Sequence, residues 1–450
     1  FMRGDDRVRE LVLCKRRPEF DNTIKIKNDR LDEYQILNVE KAVNAKDYYL
    51  IQGPPGSGKT SGVLVEIVKN LLEHDEKDIY IIAYTNRAVD EIIGNLIKNN
   101  IKCLKIGDFD GDNGWKFLVN NHSLEDVYYK FKKTRVIVST VLKLQFYPHL
   151  LKVKQFGTLI VDEATQILEP MIVGLLSYFD KWILIGDENQ LPAVTEQSTS
   201  AKCNLKSLND IGLYSFAESL FLRLKVNAIN KGWDDCYGML QYHYRMHEKL
   251  AEFVNNEFYN NKLIPKTNRQ KNKIVAYNCG DVLLDKIFSN NRVAFISTPI
   301  QNSNKINDYE AKLVARIVEY VHKIYGDNFD YAKSLGVITP FKAQILNIKK
   351  YLKPEYKNIT IDTVERYQGS ERDIIIISFA LNNPFMIFSV KSEANEMVDR
   401  KLNVALTRAK DHLVLIGNDD ILKSDPIYHK LLKYIEKENG IYRIGNSVDW

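Results

Sequence analysis

The stretch Gly53-Pro54-Pro55-Gly56-Ser57-Gly58-Lys59-Thr60-Ser61 specifies chemistry by residue type and spacing alone. Glycines set this way before Lys-Thr let backbone N–H groups curl round the β-phosphate of a nucleoside triphosphate. Lys59 then reaches the β/γ oxygens, and the Thr60 hydroxyl is left to hold Mg²⁺. Kinases, GTPases, transporters and motors share such a loop, so it names the ligand and leaves open what hydrolysis drives. Further along, Leu159-Ile160-Val161 leads into Asp162 and Glu163. Two acids at the end of an apolar run are costly unless they serve a cation. Asp162 suits Mg²⁺ through water, and Glu163 suits polarising the attacking water. Another apolar run, Trp182 to Gly186, delivers Asp187 and Gln190. A glutamine near the γ-phosphate senses it by hydrogen bonding, although a polar turn capping a strand has the same composition.

These groups need a frame that brings distant strand ends together. Short apolar, β-branched runs alternate with amphipathic segments, the pattern of parallel α/β sheets. The first series of expected strands is Tyr48–Gln52, Ile79–Tyr84, Lys102–Ile106, Arg135–Ser139, Thr158–Asp162 and Trp182–Gly186. A second series is Arg292–Ser297, Gly336–Thr339, Ile359–Asp362, Asp373–Phe379 and His412–Gly417. Ser61–Leu72 reads as the helix that follows the loop. Two series imply two α/β domains joined near Asn227–Asp235, with a polar, then aromatic, insertion at about 107–133 carrying Trp115 and Phe117.

Composition narrows the classes. At 450 residues the chain holds two to three domains, and 45% hydrophobic with 27% charged residues excludes a disordered or fibrous chain. A net charge of +5 permits a polyanionic partner without demanding one. The five cysteines lie apart, without CxxC or a neighbouring His at finger spacing, which reads as free thiols in an intracellular compartment (cytoplasmic, or nuclear if eukaryotic). No run reaches the ~18 apolar residues of a membrane span, so no membrane partner is expected. The chain opens Phe-Met, which reads as a cloning remnant or an excised fragment, leaving room for protein partners through missing flanking domains.

The ordered motifs GPPGSGKT, AYTNRAVDEI, VDEATQ, GDENQLP, HYRMH, ITPFKAQ, TVERYQGSERD and NVALTRAK resemble those of superfamily 1 helicases. Within them the chain is similar to the superfamily 1B branch, typified by the nonsense-mediated-decay helicase and nuclease-linked DNA-replication relatives. The resemblance runs from about Leu31 to Asn418. It implies an α/β fold of two RecA-like P-loop domains with parallel sheets and an ATP cleft between them. It also implies single-stranded nucleic acid, DNA or RNA, across the top and 5′→3′ movement. The expected division is an N-terminal segment 1–30, a first RecA-like domain 31–229 and a second 230–450.

Carried onto matching positions, Gln35 resembles the glutamine that reads the adenine edge, and Tyr244 the aromatic that stacks on it. Arg245 and Arg408 resemble the two arginines sent to the γ-phosphate, where a planar, always-charged fork suits phosphoryl transfer. Glu371 resembles a ribose contact, or else pairs with Arg372. Thr85 and Asn86 follow an expected strand, Thr339 and Thr363 occupy the matching strand ends of the second domain, and all four suit backbone phosphates, a role compatible with helix capping. Gln368 and Gly369 are expected where the nucleic-acid groove meets the ATP cleft. His243 stands where many members have glutamine, and Ala193 replaces a second proline. No nuclease or zinc module is read. The expected function is an ATP-dependent 5′→3′ helicase or translocase on single strands. Its rivals are a translocase that displaces bound proteins without unwinding, and an ATP-gated clamp or scaffold.

Overall fold

The computed structural model describes residues 6–107, 123–193, 205–392 and 398–443. Most of the insertion expected at about 107–133, including Trp115 and Phe117, lies outside the described residues; its end is a helix, Leu124–Lys133, capped by Ser123. The chain divides into two compact units, Phe1–Tyr242 and His243–Trp450.

The first unit is built on seven strands: β1 (Tyr48–Gln52), β2 (Asp78–Ala83), β3 (Cys103–Ile106), β4 (Val136–Thr140), β5 (Phe156–Val161), β6 (Phe179–Gly186) and β7 (Tyr237–Met239). They pair in parallel in the order β3-β4-β2-β5-β6-β1-β7. Burial of both faces explains the near-continuous apolar runs. Along β1, Tyr48 and Leu50 pack with Ile82, Leu159 and Trp182 on one face. Tyr49 and Ile51 pack with Ile81, Ile160 and Ile183 on the other. The strand β7 lies beyond residue 229, where the sequence reading ended the first domain, and adds to the open edge of β1.

The segment 1–30 contributes to this core. Its helix Asp6–Val12 buries Val8, Leu11 and Val12 in the first apolar cluster. Arg223, fully buried, grips Glu169 through Nε and Nη2, each at 2.7 Å, and donates from Nη2 to the Val12 carbonyl at 2.8 Å. Removing one partner of such a pair strands a buried charge and costs about 3–5 kcal/mol.

Two short strands, β8 (Tyr242–His243) and β9 (Ile264–Pro265), precede the sheet of the second unit in the chain. That sheet comprises β10 (Val293–Ser297), β11 (Leu335–Ile338), β12 (Thr360–Asp362), β13 (Arg372–Ser378), β14 (Ala409–Gly417) and β15 (Ile441–Arg443). All pairings are parallel, in the order β12-β11-β13-β14-β10-β15. The helix Asp308–Tyr325 lays Leu313, Val314, Ile317 and Val318 against Ile296, Val337, Ile376 and Val414. Among the described residues no helix is long and apolar enough to cross a membrane. Ligands of parallel α/β sheets bind beyond the carboxyl ends of the strands, so those ends are where chemistry is sought.

Candidate active site

In the first unit β2, β5, β6 and β1 are successive neighbours, so the residues following them share one edge. β1 runs into the phosphate loop, and the helical segment Lys59–Leu64 continues as Val65–His74. Gly53 is required by contact: a Cβ there would stand 2.9 Å from the Cβ of Lys59. Gly58 is required by conformation, with φ +76°, and brings no side chain to cap the first helical turn. A helix start left this way favours an anion.

β5 ends at Val161 and presents Asp162 and Glu163 to that loop. Lys59 Nζ lies 2.9 Å from Glu163 Oε1, and the Thr60 hydroxyl donates to Asp162 Oδ2 at 2.8 Å. Glu163 occupies the left-handed region at φ 52°, a strained conformation for a non-glycine residue. Its N–H donates to Asp162 Oδ1 at 2.9 Å. Burial pushes the Asp162 carboxyl up to about 6, aided by Glu163 and opposed by Lys59 and the Thr60 hydroxyl. For Lys59, burial works against the charge, but Glu163 and Asp162 outweigh it and its pKa is raised. A cationic head on two clustered acids is the arrangement that a polyphosphate would reorganise. The donor set also fits a cation: a hydroxyl and a carboxylate, both hard oxygen ligands, meet at the loop. The Ser57 hydroxyl, buried and without a partner among the described residues, is a further polar atom in the same loop. Among the described residues no group of three or more His, Cys, Asp or Glu forms a preassembled metal cage. Mg²⁺ would therefore be held by Thr60 and Asp162 together with substrate oxygens.

Gln190, after β6, donates from Nε2 to Asp187 Oδ2 at 2.7 Å, and Gln52 Nε2 approaches Asp187 Oδ1 at 3.4 Å. Lys225 Nζ donates to Gln52 Oε1 at 2.8 Å and also pairs with Glu188. Lys225 escaped the sequence reading because a lysine in the helix Leu220–Asn230 resembles any solvated position; here it is buried beneath the loop's strand. Gln35 is buried too. Its Oε1 accepts from the Asp32 N–H at 3.1 Å, closing a capping box, and its Nε2 donates to the Ser57 carbonyl at 2.9 Å. The residue expected to read adenine thus braces the phosphate loop in this structure. Thr85 caps the exposed start of the helix Asn86–Lys98, accepting from the Ala88 N–H at 3.1 Å. Thr140, at the end of the neighbouring β4, caps a helix in the same way. It was missed because a lone threonine carries no spacing signal.

The second unit holds the remaining expected residues. Tyr244 is half-buried. Arg245 Nε donates to Glu371 Oε2 at 2.5 Å and its Nη1 to the Thr407 carbonyl at 3.2 Å. Glu371 also meets Lys410 at 2.9 Å; burial raises its pKa, but Arg245 and Lys410 win and hold it low. Glu371 therefore pairs with Arg245 and Lys410, whereas Arg372 bonds its backbone carbonyl at 2.8 Å. Arg408 is buried, donating to the carbonyls of Val404 and Ser370 at 3.0 and 3.2 Å. Thr339 is fully buried with its hydroxyl unpartnered among the described residues, while Thr363 is half-buried at the start of a short helix. Gln368 Nε2 is buried without a partner among the described residues, and Gly369 has φ +76°. His243 Nδ1 accepts from Gln270 Nε2 at 2.9 Å, and burial pushes its pKa down to about 4, so it stays neutral.

Loop, lysine, threonine and acids on one edge of a parallel sheet define a P-loop nucleotide-binding protein of α/β class. Two family models, each described as an AAA domain, match residues 216–420 and residues 30–128 with 127–198. The DNA replication ATP-dependent helicase/nuclease JHS1 of Arabidopsis thaliana is 29% identical over 472 residues, covering 99% of this chain and 33% of its own length. DNA2 of Xenopus laevis, with the same description, is 26% identical over 92% of this chain and 39% of its own length. An uncharacterized ATP-dependent helicase of Methanocaldococcus jannaschii is 25% identical over 98% of this chain and 76% of its own. The chain belongs to the superfamily 1 helicases, in the branch of the DNA2-like and nonsense-mediated-decay helicases. It spans between a third and two-fifths of the length of the JHS1 and DNA2 relatives.

Proposed function

We propose that this chain hydrolyses ATP with Mg²⁺ to drive 5′→3′ movement along single-stranded nucleic acid, opening duplexes as a helicase. The observation that carries the reading is the paired geometry at the end of β5: Lys59–Glu163 at 2.9 Å and Thr60–Asp162 at 2.8 Å. Bound Mg²⁺ would neutralise charge on the transferring phosphoryl group. Lys59 would leave Glu163 for the β/γ-phosphates, freeing that carboxylate to take a proton from the attacking water. Asp162 would hold the cation's side of the site and Gln190 would report on the γ-phosphate. Arg245 and Arg408 are assigned the charge that develops in transfer. Thr85, Asn86 and Thr363 are assigned the strand's phosphates, with Thr339 supporting the same turn from inside. The names of the relatives, which pair ATP dependence with helicase action, support the same reading.

A strand-displacement assay on partial duplexes tests it. A duplex with a 5′ single-stranded tail should open with ATP and one with a 3′ tail should not. Equal opening of both, or preference for the 3′ tail, would contradict the polarity. Running DNA and RNA versions together identifies the substrate.

A further inference from the structure

A series of polar side chains crosses the first unit from the helix Leu220–Asn230 to the turn after β6. Leu220, Phe221, Leu224 and Ala228 pack that helix into the first apolar cluster, and Arg223 ties it to Glu169 and to the Val12 carbonyl. Lys225, one of its buried residues, is therefore carried by a firmly held element. Its ammonium donates to Gln52 Oε1 at 2.8 Å and pairs with Glu188. Gln52 in turn ends β1 directly before Gly53, opposite Gly186 of β6.

Donor and acceptor inventories give this series a direction. An ammonium only donates, so it sorts the two ends of the Gln52 amide and turns Nε2 the other way. There Nε2 approaches Asp187 Oδ1 at 3.4 Å, the longest of the links. An ionised carboxylate only accepts, so fully buried Asp187 takes Gln190 by its Nε2, at 2.7 Å, and not by its carbonyl. The other amide N–H of Gln190 and its Oε1 then suit a phosphate oxygen and a water. Asp187 also bears on the phosphate loop: burial lowers the pKa of Lys59, and Glu163, Asp162 and then Asp187 raise it. Without the ammonium, a flipped Gln52 would set its oxygen against the Asp187 carboxylate and disturb the hold on Gln190.

We propose that Lys225 is a positioning residue for ATP hydrolysis: through Gln52 and Asp187 it fixes the orientation in which Gln190 meets the γ-phosphate. The inference rests on the reading of Gln190 above and adds to it the residue that aims it. A group held by locked neighbours keeps the geometry that turnover needs, while ATP binding rests on the loop itself. Loss of Lys225 therefore acts on turnover and spares affinity.

The test is a double-mutant cycle in steady-state ATP turnover of the full chain, with Mg²⁺ and a saturating single-stranded oligonucleotide. Lys225→Met keeps an unbranched side chain without charge or donor, and should lower kcat about tenfold with KM for ATP nearly unchanged. Gln190→Ala should lower kcat too, and the double variant should be no slower than Gln190→Ala alone, because nothing is left to aim. Gln52→Met breaks the middle link and leaves Lys225 its pair with Glu188. It should match Lys225→Met, and it carries the test if the lysine variant does not fold. Glu188→Gln, which leaves the ammonium on Gln52, should keep its turnover. Losses that multiply in the double variant, a loss confined to KM, or wild-type kcat in Gln52→Met would overturn the positioning role and leave the ATPase reading intact. So would a Glu188→Gln loss as large as that of Lys225→Met, which would make the lysine an ion-pair partner only. Wild-type turnover in Gln190→Ala would overturn the γ-phosphate role of Gln190 and this inference with it. A wild type that hydrolyses no ATP would overturn the reading of the site itself.

Discussion

The carboxyl edge of the first unit's sheet gathers a cation, two acids and a buried glutamine, held 2.7–2.9 Å from their partners. The matching edge of the second unit has threonines, an apolar pocket and arginines already engaged by Glu371 and by carbonyls of their own unit. Both edges sit on parallel sheets buried on each face, so the frame alone does not choose the chemistry. The contrast lies in desolvation. Asp162 is buried beside a second acid and is pushed up to about 6, so a cation or a lysine must stabilise its charge. Glu371 is nearly half-exposed, and two neighbouring cations hold it ionised. Under the proposed function the first edge exchanges partners on binding a polyphosphate, whereas the second is satisfied as it stands.

The largest effect that would sharpen this contrast concerns Arg245. If it acts on the transferring phosphoryl group, Arg245→Ala should lower ATP turnover by about 10³–10⁵, with nucleotide binding much less affected. Glu371→Ala removes the same ion pair and should retain most of the turnover. Equal losses in the two variants would make the arginine a structural partner only. Lysine should rescue poorly, because a point charge does not reproduce the planar fork. Next in size, Glu163→Gln should keep nucleotide binding and lose about 10²–10⁴ in turnover, since the amide cannot take a proton. Lys59→Ala should instead weaken nucleotide binding itself. Undiminished hydrolysis by Glu163→Gln would dissolve the contrast from the other side.

The smallest effect belongs to Glu310 in the second unit, a buried acid outside the proposed chemistry. It accepts from the Ser378 hydroxyl at 2.7 Å and the Ala380 N–H at 2.9 Å, yet burial pushes it up to about 8. An acid raised in the folded state makes stability highest below its unfolded pKa and erodes it as pH rises through the folded value. His243 and His412, pushed down to about 4 and about 3 by burial, have made their full contribution above pH ~6.5. Between pH ~6.5 and ~8, therefore, wild-type melting temperature should fall, and Glu310→Gln should flatten that fall. Each kcal/mol corresponds to about 2–4 °C for a unit of this size. A parallel slope in both proteins would remove Glu310 as its source.

Much of the frame was legible because two-sided burial writes itself as unbroken β-branched runs. Each of the strands expected from such runs is present, with ends moved by up to three residues. The strands β7 and β15, each of three residues at a sheet edge, were not legible; Tyr237-Gly238-Met239 and Ile441-Tyr442-Arg443 are too short to form a run. The meeting of the glycine-rich loop with Asp162 and Glu163 was legible because unusual residue types stand there at fixed spacing. Contacts across long sequence separation were not: the hold of Gln35 on Ser57, of Lys225 on Gln52 and of Arg245 on Glu371 depends on which side chains the sheet order brings together. The same holds for Thr339, whose position after β11 was read from sequence but whose complete burial was not.

The central claim is that the chemistry at the first unit's edge is coupled to a single strand. Steady-state ATP turnover of the full chain with Mg²⁺, measured with and without a saturating single-stranded oligonucleotide, tests it most directly. The account predicts low turnover alone and a large stimulation by the strand, absent in Glu163→Gln. Turnover that is the same with and without every DNA or RNA strand tried would contradict it.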